Sequence, residues 1–484
     1  MTTRCDENSV GASHGAGAKE TVAIVGGGCA GALVAAHLMR MDRRPRRIVI
    51  FEPRPDLGAG VAYSTDDPRH LLNAPASAMS AFENDPTHFV TWLAQLGHDH
   101  VATDFVPRRL YRQYLQDIVT VGLRCSIPGT ELTWIHETVT SLSVNEITGH
   151  RLTTLHYGQG LQYGADRVVL ALGAPAPVAL QALALSPTFG MISDPWCPGT
   201  MEATASTGDV LILGTGLTMV DIALALAERD PRRTVHARSR HGFLPAEHVS
   251  DGFAPWPGFD IGHPKTARDV LHGLRRATAE AHSCGGNWRN VIAAARLAAP
   301  DVWSGLCATE RRRLLRHLGR RWDVARHRMS APVAATVTEL RHSGRLTVGA
   351  GRILAVVNHG SVRHPQLEVT LGGPGGHRET LMVGALIDCT GPGGDPTARS
   401  PLVAGLVADG LARLDPCGVG LDVDEHGDLR TDSATSATIH TVGWCRQGAE
   451  FEATAVPEIR RQAERLARHM SPSGDRRPPV LVPA

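Results

Sequence analysis

Several residue types and patterns are scarce in this chain of 484 residues, and each scarcity excludes a class of protein. Lys19 and Lys265 are the only lysines, and 49 basic residues are balanced by 48 acidic ones. No net charge therefore directs the whole molecule to nucleic acid or to a membrane surface. No apolar run approaches the roughly 18 residues of a membrane-spanning helix. Aromatic residues make up only 5% of the chain, but its 42% hydrophobic content is ample for a large buried core.

The nine cysteines form no CxxC pair and stand in an odd, scattered set. This pattern excludes a disulfide framework, a zinc site and a dithiol relay, and it indicates reduced thiols. Residues 1–18 form a polar tail without the apolar core of a signal peptide, and 471–484 form a second tail rich in proline and arginine. We therefore expect a cytoplasmic protein with two flexible tails and no metal.

The strongest motif is a glycine-rich turn between a predicted strand and a predicted helix. The apolar run Thr21–Val25 predicts a buried parallel strand, and Gly26, Gly28 and Gly31 follow it in the spacing of a dinucleotide-binding turn. The first glycine permits the tight turn, the second lets the backbone approach a pyrophosphate, and the third lets the helix pack on the strand. Glu52 ends the next strand, where a carboxylate binds the ribose hydroxyls and repels a 2′-phosphate. The unit predicts FAD or NAD; the alternative is a glycine-rich turn without a ligand.

Loops rich in glycine and small residues follow this unit, at 56–64 and 70–80. Such loops can pass close to an extended ligand, as a ribityl chain and a flavin ring require. An ordinary surface loop is the alternative. The candidate cofactor contacts here are Gly60, His70, Leu71 and Asn73.

A second unit of the same kind begins at 209. Its turn carries Gly214, Gly216 and Thr218, and the following strand runs into Arg238 and Arg240 rather than an acid. A guanidinium can pair bidentately with a 2′-phosphate, so this unit predicts NADPH rather than NADH. A solvated arginine pair at the strand end is the alternative.

Two further segments are candidate site elements. Asp388, Thr390 and Gly391 follow an apolar strand and could close back onto the first nucleotide site, by ribityl or pyrophosphate contacts. The basic run that holds Arg326 and Arg328 could face an anionic substrate or the nicotinamide nucleotide; a solvated basic helix face is its alternative.

In this order the motifs resemble the flavoproteins with two dinucleotide-binding domains. More narrowly, the chain is similar to the group that includes FAD-dependent urate hydroxylases and the aspartate N-oxygenating, nitrosuccinate-forming monooxygenases. The residues that carry the resemblance are 26–31, 58–63, 70–75, 105–109 with Tyr111 and Tyr114, 194–196, 214–221, 326–329, 388–392 and 452–460. At 449–453 the chain reads Ala-Glu-Phe-Glu-Ala where many relatives have an aromatic or Leu-Trp-Glu stretch, which puts transfer of any one member's substrate in doubt.

The resemblance implies where the cofactors lie. It implies FAD at the first turn and Glu52, with 70–80, 388–392 and 443–458 around the flavin, and NADPH or NADH at the second turn. It also implies that Gly173 lies at the backbone crossover between the domains.

We therefore expect an α/β fold of two Rossmann-like dinucleotide-binding domains, with the NAD(P)H domain inserted in the FAD domain. The FAD domain is predicted over 19–193 and 378–470. The NAD(P)H domain is predicted over 194–377, with a helical insert at 266–330. The active site should lie in the cleft between them, at the carboxyl ends of the parallel strands.

Three functions are compatible with these features. The first is a flavin monooxygenase that uses NAD(P)H and O₂ on a small polar or anionic substrate. The second is an NAD(P)H-dependent flavin reductase or dehydrogenase that passes electrons to a quinone, a small acceptor or a partner protein. The third is a nucleotide-sensing flavoprotein without catalysis. Nothing in the sequence points to nucleic acid, to a membrane or to a particular oligomeric state. The candidate substrate or nicotinamide contacts are Asn73, Ser80, Arg326, Arg328 and Glu458.

Overall fold

The computed structural model describes residues 19–147, 150–182, 189–197, 199–200, 204, 208–249, 254–361, 364–391, 393–432 and 435–471. The predicted tails, 1–18 and all but the first residue of 471–484, lie outside these residues, as does residue 392 of the segment 388–392.

Strands and helices alternate in the two units that begin at β1 and at β9, as expected for an α/β fold. The strands are β1 (Thr21–Val25), β2 (Arg47–Phe51), β3 (Glu131–Ile135), β4 (Val139–Ile147), β5 (His150–Tyr157), β6 (Leu161–Ala165), β7 (Arg167–Leu170), β8 (Met191–Ile192), β9 (Val210–Leu213), β10 (Val235–Ser239), β11 (Leu346–Ala350), β12 (Arg352–Asn358), β13 (Leu367–Gly372), β14 (Arg378–Val383), β15 (Ala385–Asp388), β16 (Asp428–Arg430) and β17 (Thr435–Thr441).

The helices cover the faces of the sheets and form a separate group between β10 and β11. They are α1 (Cys29–Met41), α2 (His88–Gln95), α3 (Arg108–Cys125), α4 (Ala179–Ala182), α5 (Leu217–Arg229), α6 (Ala267–Ser283), α7 (Trp288–Gly305), α8 (Ala308–His317), α9 (Gly319–Arg326), α10 (Ala331–His342), α11 (Pro396–Arg399), α12 (Pro401–Ala408) and α13 (Val456–Met470). Within the described ranges, none of them combines the length and apolar character needed to cross a bilayer.

The first sheet has the strand order β16-β17-β7-β1-β2-β3. All five residues of β1 are buried, because β1 lies between β2 and β7, both parallel to it. Helices α1, α3 and α13 pack together on one face, while β4–β6 and α12 cover the other. The continuous apolar run of β1 is therefore a strand buried on both faces.

The second sheet has the order β11-β10-β9-β15-β8, with every pairing parallel. Helices α5 and α10 pack on one face, and the antiparallel sheet β12-β13-β14 packs on the other. Each of these two sheets carries one glycine-rich turn, after β1 and after β9. The predicted α/β class with two dinucleotide-binding domains is confirmed.

The insertion points differ from the predicted boundaries. β8 belongs to the second sheet, although 191–192 was expected in the FAD domain. β15 pairs with β9, with Asp388 opposite Leu213, so the chain returns to the first sheet only after 391 and not at 378. The apolar strand and glycine of 385–391 suit either sheet, and only non-local pairing decides between them.

The helical insert is present as α6–α9. Trp303 and Leu314 from this group share a core with Cys417 and Phe451, which belong to the segment after the inserted domain. The insert therefore packs against the C-terminal part of the chain.

Candidate functional site

A large cavity of about 1030 Å³ opens between the two dinucleotide units. It reaches the upper end of the range for small-molecule sites, so it can take an extended ligand. Its lining residues fall in the segments 26–30, 52–54, 59–63, 72–79, 103–108, 171–174, 196, 217–221, 248–249, 296, 326–331, 443–444 and 454–459.

The first glycine turn is shaped by close backbone packing. Gly26 has φ of 104°, and a Cβ there would lie 2.3 Å from the Ala171 carbonyl oxygen. A Cβ on Gly31 would lie 2.0 Å from the Gly26 carbonyl oxygen. Gly28 precedes α1 without capping it by a side chain and lines the cavity, so the N–H groups that start the helix remain available. This is a fitting cradle for a diphosphate.

Glu52 stands at the end of β2 and lines the same cavity. Its carboxylate oxygens accept hydrogen bonds from the N–H groups of Gly27 (2.9 Å) and Arg54 (3.0 Å), which fix the side chain. A carboxylate has further lone pairs to offer, so Glu52 can still accept from ribose hydroxyls. The residues around the first turn thus fit the adenosine diphosphate half of FAD.

Of the loop residues predicted to contact the cofactor, Gly60, Asn73 and Gly173 line the cavity. His70 and Leu71 do not. His70 is buried and hydrogen-bonds through Nε2 to the Asp221 carbonyl (3.0 Å), while Leu71 forms a β-bridge with Pro107. Contrary to expectation, these two residues do not contact the cavity but hold the loop to the rest of the protein.

Ser80 is also removed from the list of candidate catalytic residues by its contacts. It is fully buried, and its hydroxyl bonds to the carbonyl oxygens of Phe82 (3.0 Å) and Asp85 (2.6 Å) and to the Phe82 N–H. It holds the 80–85 turn and does not face the cavity.

The second glycine turn repeats the first. Gly214 has φ of 102°, and a Cβ there would lie 2.2 Å from the Cys389 carbonyl oxygen. Gly216 precedes α5 without a side-chain cap, and Thr218 lines the cavity. Asp388, Thr390 and Gly391 lie beside this second turn and not at the first.

Asp388 closes its own turn. The side chain is buried, and it accepts hydrogen bonds from the N–H groups of Thr390 (3.0 Å) and Leu180 (3.1 Å). The predicted contact of this segment with the first nucleotide is wrong, because β15 pairs with β9 and carries the segment to the second sheet.

Arg238 does not face a ligand either. It is 8% exposed, its Nε and Nη2 pair with the Glu379 carboxylate at 3.0–3.2 Å, and its Nη1 donates to Thr347 Oγ1 (3.1 Å). The prediction that Arg238 reads a 2′-phosphate is wrong, since its donors are already used. Arg240, two residues on, is exposed.

Arginines from the helical region also line the cavity. Arg296 and Arg326 line the cavity, and both are neutralised. Arg326 Nε lies 3.1 Å from Glu452 Oε2, and Arg296 Nη2 lies 2.6 Å from Glu458 Oε1. Glu458 is not part of the lining and acts behind it, as the counter-ion of Arg296.

Arg328 differs from these two arginines. It is 8% exposed, lines the cavity and donates from Nε to the Ala325 carbonyl (2.7 Å). Across the described ranges, no carboxylate comes within ion-pair distance of it. Burial, together with the nearby Arg289 and Arg326, lowers the pKa of Arg328 to about 10. It remains a cation at neutral pH and lacks a carboxylate at the wall of the site.

His248 joins Asn73 at the same wall. Its Nε2 donates to the Asn73 carbonyl (3.1 Å), and its ring packs on Phe105 at 4.9 Å. Burial lowers the pKa of His248 to about 4, with the surrounding arginines acting in the same direction. The imidazole is therefore neutral at pH 7.

Several residues that line the cavity were not predicted from the sequence. His248, Arg296 and Arg108 line the cavity but belong to no motif that was assigned a role. Arg296 meets Glu458 across 162 residues, so no local pattern could have revealed the pair. Arg108 could have been found, because it lies within the segment 105–109 of the resemblance. No group of three or more potential metal ligands occurs in the part of the chain that the structure describes.

Comparison with known proteins agrees with this architecture. A family described as FAD-NAD(P)-binding matches residues 23–175. No curated protein sequence matches the chain. Among solved structures, the ornithine N-hydroxylase of Kutzneria sp. 744 superposes with a TM-score of 0.63 at 14% identity, covering 93% of this chain and 98% of that one.

Two further structures share the fold. The cadaverine monooxygenase of Erwinia amylovora, bound to FAD, has a TM-score of 0.63 at 13% identity and covers 96% of this chain and 98% of its own. The L-lysine 6-monooxygenase of Pseudomonas syringae has a TM-score of 0.60 at 17% identity, with 93% and 98% covered. The chain thus has the two-domain flavoprotein fold of these N-hydroxylating monooxygenases.

Proposed function

We propose that this protein is an FAD-dependent, NADPH-consuming monooxygenase that acts on a small molecule carrying an anionic group. The observation that carries the proposal is that one cavity is lined by the first glycine turn, by the start of α5 after the second turn, and by Arg328, which has no carboxylate within ion-pair distance among the described residues. A single nucleotide would need only one of these turns. Arg328 contacts the Ala325 carbonyl and the Trp288 ring, and an anionic ligand would supply the opposite charge that these contacts leave out.

Within this proposal, the chain's residues bind and orient. The start of α1 and Glu52 hold the adenosine diphosphate of FAD, and α5 faces NADPH. Bound FAD would supply the chemistry: acceptance of two electrons from NADPH and transfer of one oxygen atom of O₂ to the substrate, with the other released as water. Arg328 binds the anionic group, and Asn73 offers its amide at the wall shared with the neutral His248.

Two observations support the proposed substrate class. The solved structures of the same fold are named for amine substrates: ornithine, lysine and cadaverine. The resemblance of the motifs is to a group that includes aspartate N-oxygenating enzymes. An amine that also bears a carboxylate satisfies both and pairs with Arg328. We place the enzyme in the cytoplasm, in agreement with the free cysteines among the described residues.

The test is rapid mixing of the purified yellow protein with NADPH or NADH without oxygen, followed by O₂ and a panel of small amino acids and amines. We expect bleaching of the flavin by NADPH, and product labelled from ¹⁸O₂ for at least one amino carboxylate. Reduced flavin that gives hydrogen peroxide with every compound, and that turns over with quinones, would establish the reductase instead. A protein that binds no flavin would contradict the whole proposal.

A further inference from the structure

The two dinucleotide units can be aligned by their backbone hydrogen bonds. In the first unit, the Gly26 N–H donates to the Phe51 carbonyl (2.9 Å). In the second, the Gly214 N–H donates to the Arg238 carbonyl (2.8 Å). Arg238 is therefore the counterpart of Phe51, and the next residue, Ser239, is the counterpart of Glu52. The position that holds the ribose-binding carboxylate in the first unit holds a neutral hydroxyl in the second.

This hydroxyl organises the loop that follows β10. Ser239 Oγ lies 2.9 Å from Thr215 Oγ1 and accepts from the Gly242 N–H (3.0 Å). Thr215 Oγ1 in turn donates to the Phe243 carbonyl (2.6 Å). The 239–243 loop is thereby fastened over the second turn. The residue at the strand end, Ser239, is thus neutral and does not repel a 2′-phosphate as a carboxylate there would.

An arginine from the helical insert reaches over the same turn. Nη1 of Arg320, on α9, lies 3.8 Å from where a Cβ on Gly216 would stand, and Nη2 approaches the Phe243 carbonyl at 3.4 Å. Burial lowers the pKa of Arg320, and the charge of Arg240 acts in the same direction, against Asp323. Arg240 therefore lies close enough to Arg320 for the two positive charges to interact.

Asp323 acts on the charge of Arg320 from beyond ion-pair distance, and neither Arg320 nor Arg240 has a carboxylate within that distance among the described residues. In the parts of the chain covered by the structure, no ion pair reaches either guanidinium. Arg238, in β10, is paired with Glu379 of β14 instead. The second turn is thus flanked by two cations whose donors can be used by a phosphorylated ligand.

We propose that Arg320 binds the diphosphate of the nicotinamide nucleotide above Gly216, and that Arg240 binds the 2′-phosphate that distinguishes NADPH from NADH. This assignment rests on the proposed function and adds a division of labour to it. The diphosphate is common to both nucleotides, whereas the 2′-phosphate occurs in one. The two arginines therefore affect selectivity in different ways.

The test is calorimetric binding of NADP⁺, NAD⁺ and 2′,5′-ADP to the flavin-loaded protein, which does not depend on turnover. A charge-assisted hydrogen bond contributes about 1.5–3 kcal/mol, so its loss weakens binding roughly 10- to 100-fold. Arg240→Ala should weaken NADP⁺ and 2′,5′-ADP by this factor and leave NAD⁺ within about twofold. Arg320→Ala should weaken both dinucleotides alike, and Arg320→Lys should recover part of the loss.

Arg316→Ala is the matched control, because Arg316 is an exposed arginine of the same insert. It should change none of the three affinities, and flavin absorbance and thermal unfolding report that each variant is folded. Equal weakening of NAD⁺ and NADP⁺ by Arg240→Ala would overturn the assignment of the 2′-phosphate. Full affinity in Arg320→Ala would overturn that of the diphosphate. If the wild type binds flavin but none of the three ligands, the proposed function itself fails.

Discussion

Arg108 and Asp221 form an ion pair that joins the two dinucleotide-binding domains, with Nη2 2.8 Å from Oδ2. Arg108 starts α3 of the first domain, and Asp221 lies in α5 of the second. His70 hydrogen-bonds to the carbonyl of the same aspartate. Both partners line the cavity, so the contact that fixes the relative position of the domains is also part of the site wall.

We expect Arg108→Leu to destabilise the protein by about 3–5 kcal/mol, because it leaves the Asp221 carboxylate buried without a partner. Arg108→Leu combined with Asp221→Leu should recover much of this loss. The control is Arg112→Leu, one turn further along α3, whose partner Asp66 is 80% exposed. That change should cost no more than about 1 kcal/mol. Denaturant unfolding measures all three, and equal losses at both arginines would contradict a buried role for the pair.

A valine at either glycine turn should abolish the binding of one dinucleotide and leave the binding of the other unchanged. A side chain at Gly28 would point toward Gly60, 3.2 Å away, and fill the cradle of the first turn. We expect Gly28→Val to purify without flavin yet still bind NADP⁺. Gly216→Val should stay yellow and lose NADP⁺ binding. Absorbance and calorimetry measure the two losses, and a variant that loses both ligands would show that the sites are not separable.

Buried His37 makes stability depend on pH. Its Nε2 donates to the Ala81 carbonyl (3.1 Å), and burial lowers the pKa of His37 from 6.5 to about 4. Between these values the unfolded chain binds a proton that the folded one does not, so the free energy of unfolding falls as the pH drops from about 6.5 to 4. The full effect is roughly 3 kcal/mol.

His37→Gln keeps a donor for Ala81 and removes the titration, so it should flatten the pH dependence in this window. The matched control is the same change at His342, which is exposed at the end of α10. Urea unfolding at several pH values is the measurement. A slope that is unchanged in His37→Gln would show that His37 does not resist protonation.

Arg328 and Arg326 should respond differently to loss of charge. Arg328→Met removes a buried cation that has no carboxylate beside it, so stability should stay within about 1 kcal/mol of the wild type or exceed it. Arg326→Met removes a partner of Glu452 and should cost about 1–3 kcal/mol. Only the Arg328 change should raise the KM for an anionic substrate without slowing flavin reduction. An undiminished affinity would remove Arg328 from the substrate site.

Arg238→Met tests the corrected role of that residue. Removal of the bidentate pair with Glu379 should lower the free energy of unfolding by about 1–3 kcal/mol. The affinity for NADP⁺ should not change, because the donors of Arg238 are used by Glu379 and Thr347. A selective loss of NADP⁺ affinity with unaltered stability would restore the interpretation based on the sequence.

Local patterns predicted the parts of the molecule that local physics determines. The turn after β1 requires Gly26 and Gly31 because backbone atoms lie where their Cβ atoms would be. This requirement produces the glycine spacing that is visible in the sequence. The same logic predicted the second turn at Gly214. The α/β class followed from alternating buried strands and helices.

Features that depend on non-local pairing were predicted less well. The segment around Asp388 was assigned to the wrong sheet, since an apolar strand does not reveal its neighbours. Arg238 was taken as the residue after β10, whereas β10 continues through Ser239. This difference of one residue changes the roles expected of the two arginines. Arg238 lies within the strand and pairs with Glu379, whereas Arg240 lies after the strand and is exposed.

The insertion of the second domain between β7 and β16 also affects how the chain folds during synthesis. Thr441 Oγ1 donates to the Leu170 carbonyl, across 271 residues of sequence. During synthesis on the ribosome, the inserted domain is complete before β17 emerges, whereas β7 waits with one edge unpaired. An unpaired strand edge favours association between nascent chains. Early folding of the inserted domain shortens the flexible loop that must be closed when β17 pairs with β7. Slow translation after β15 would favour folding of the inserted domain before this pairing.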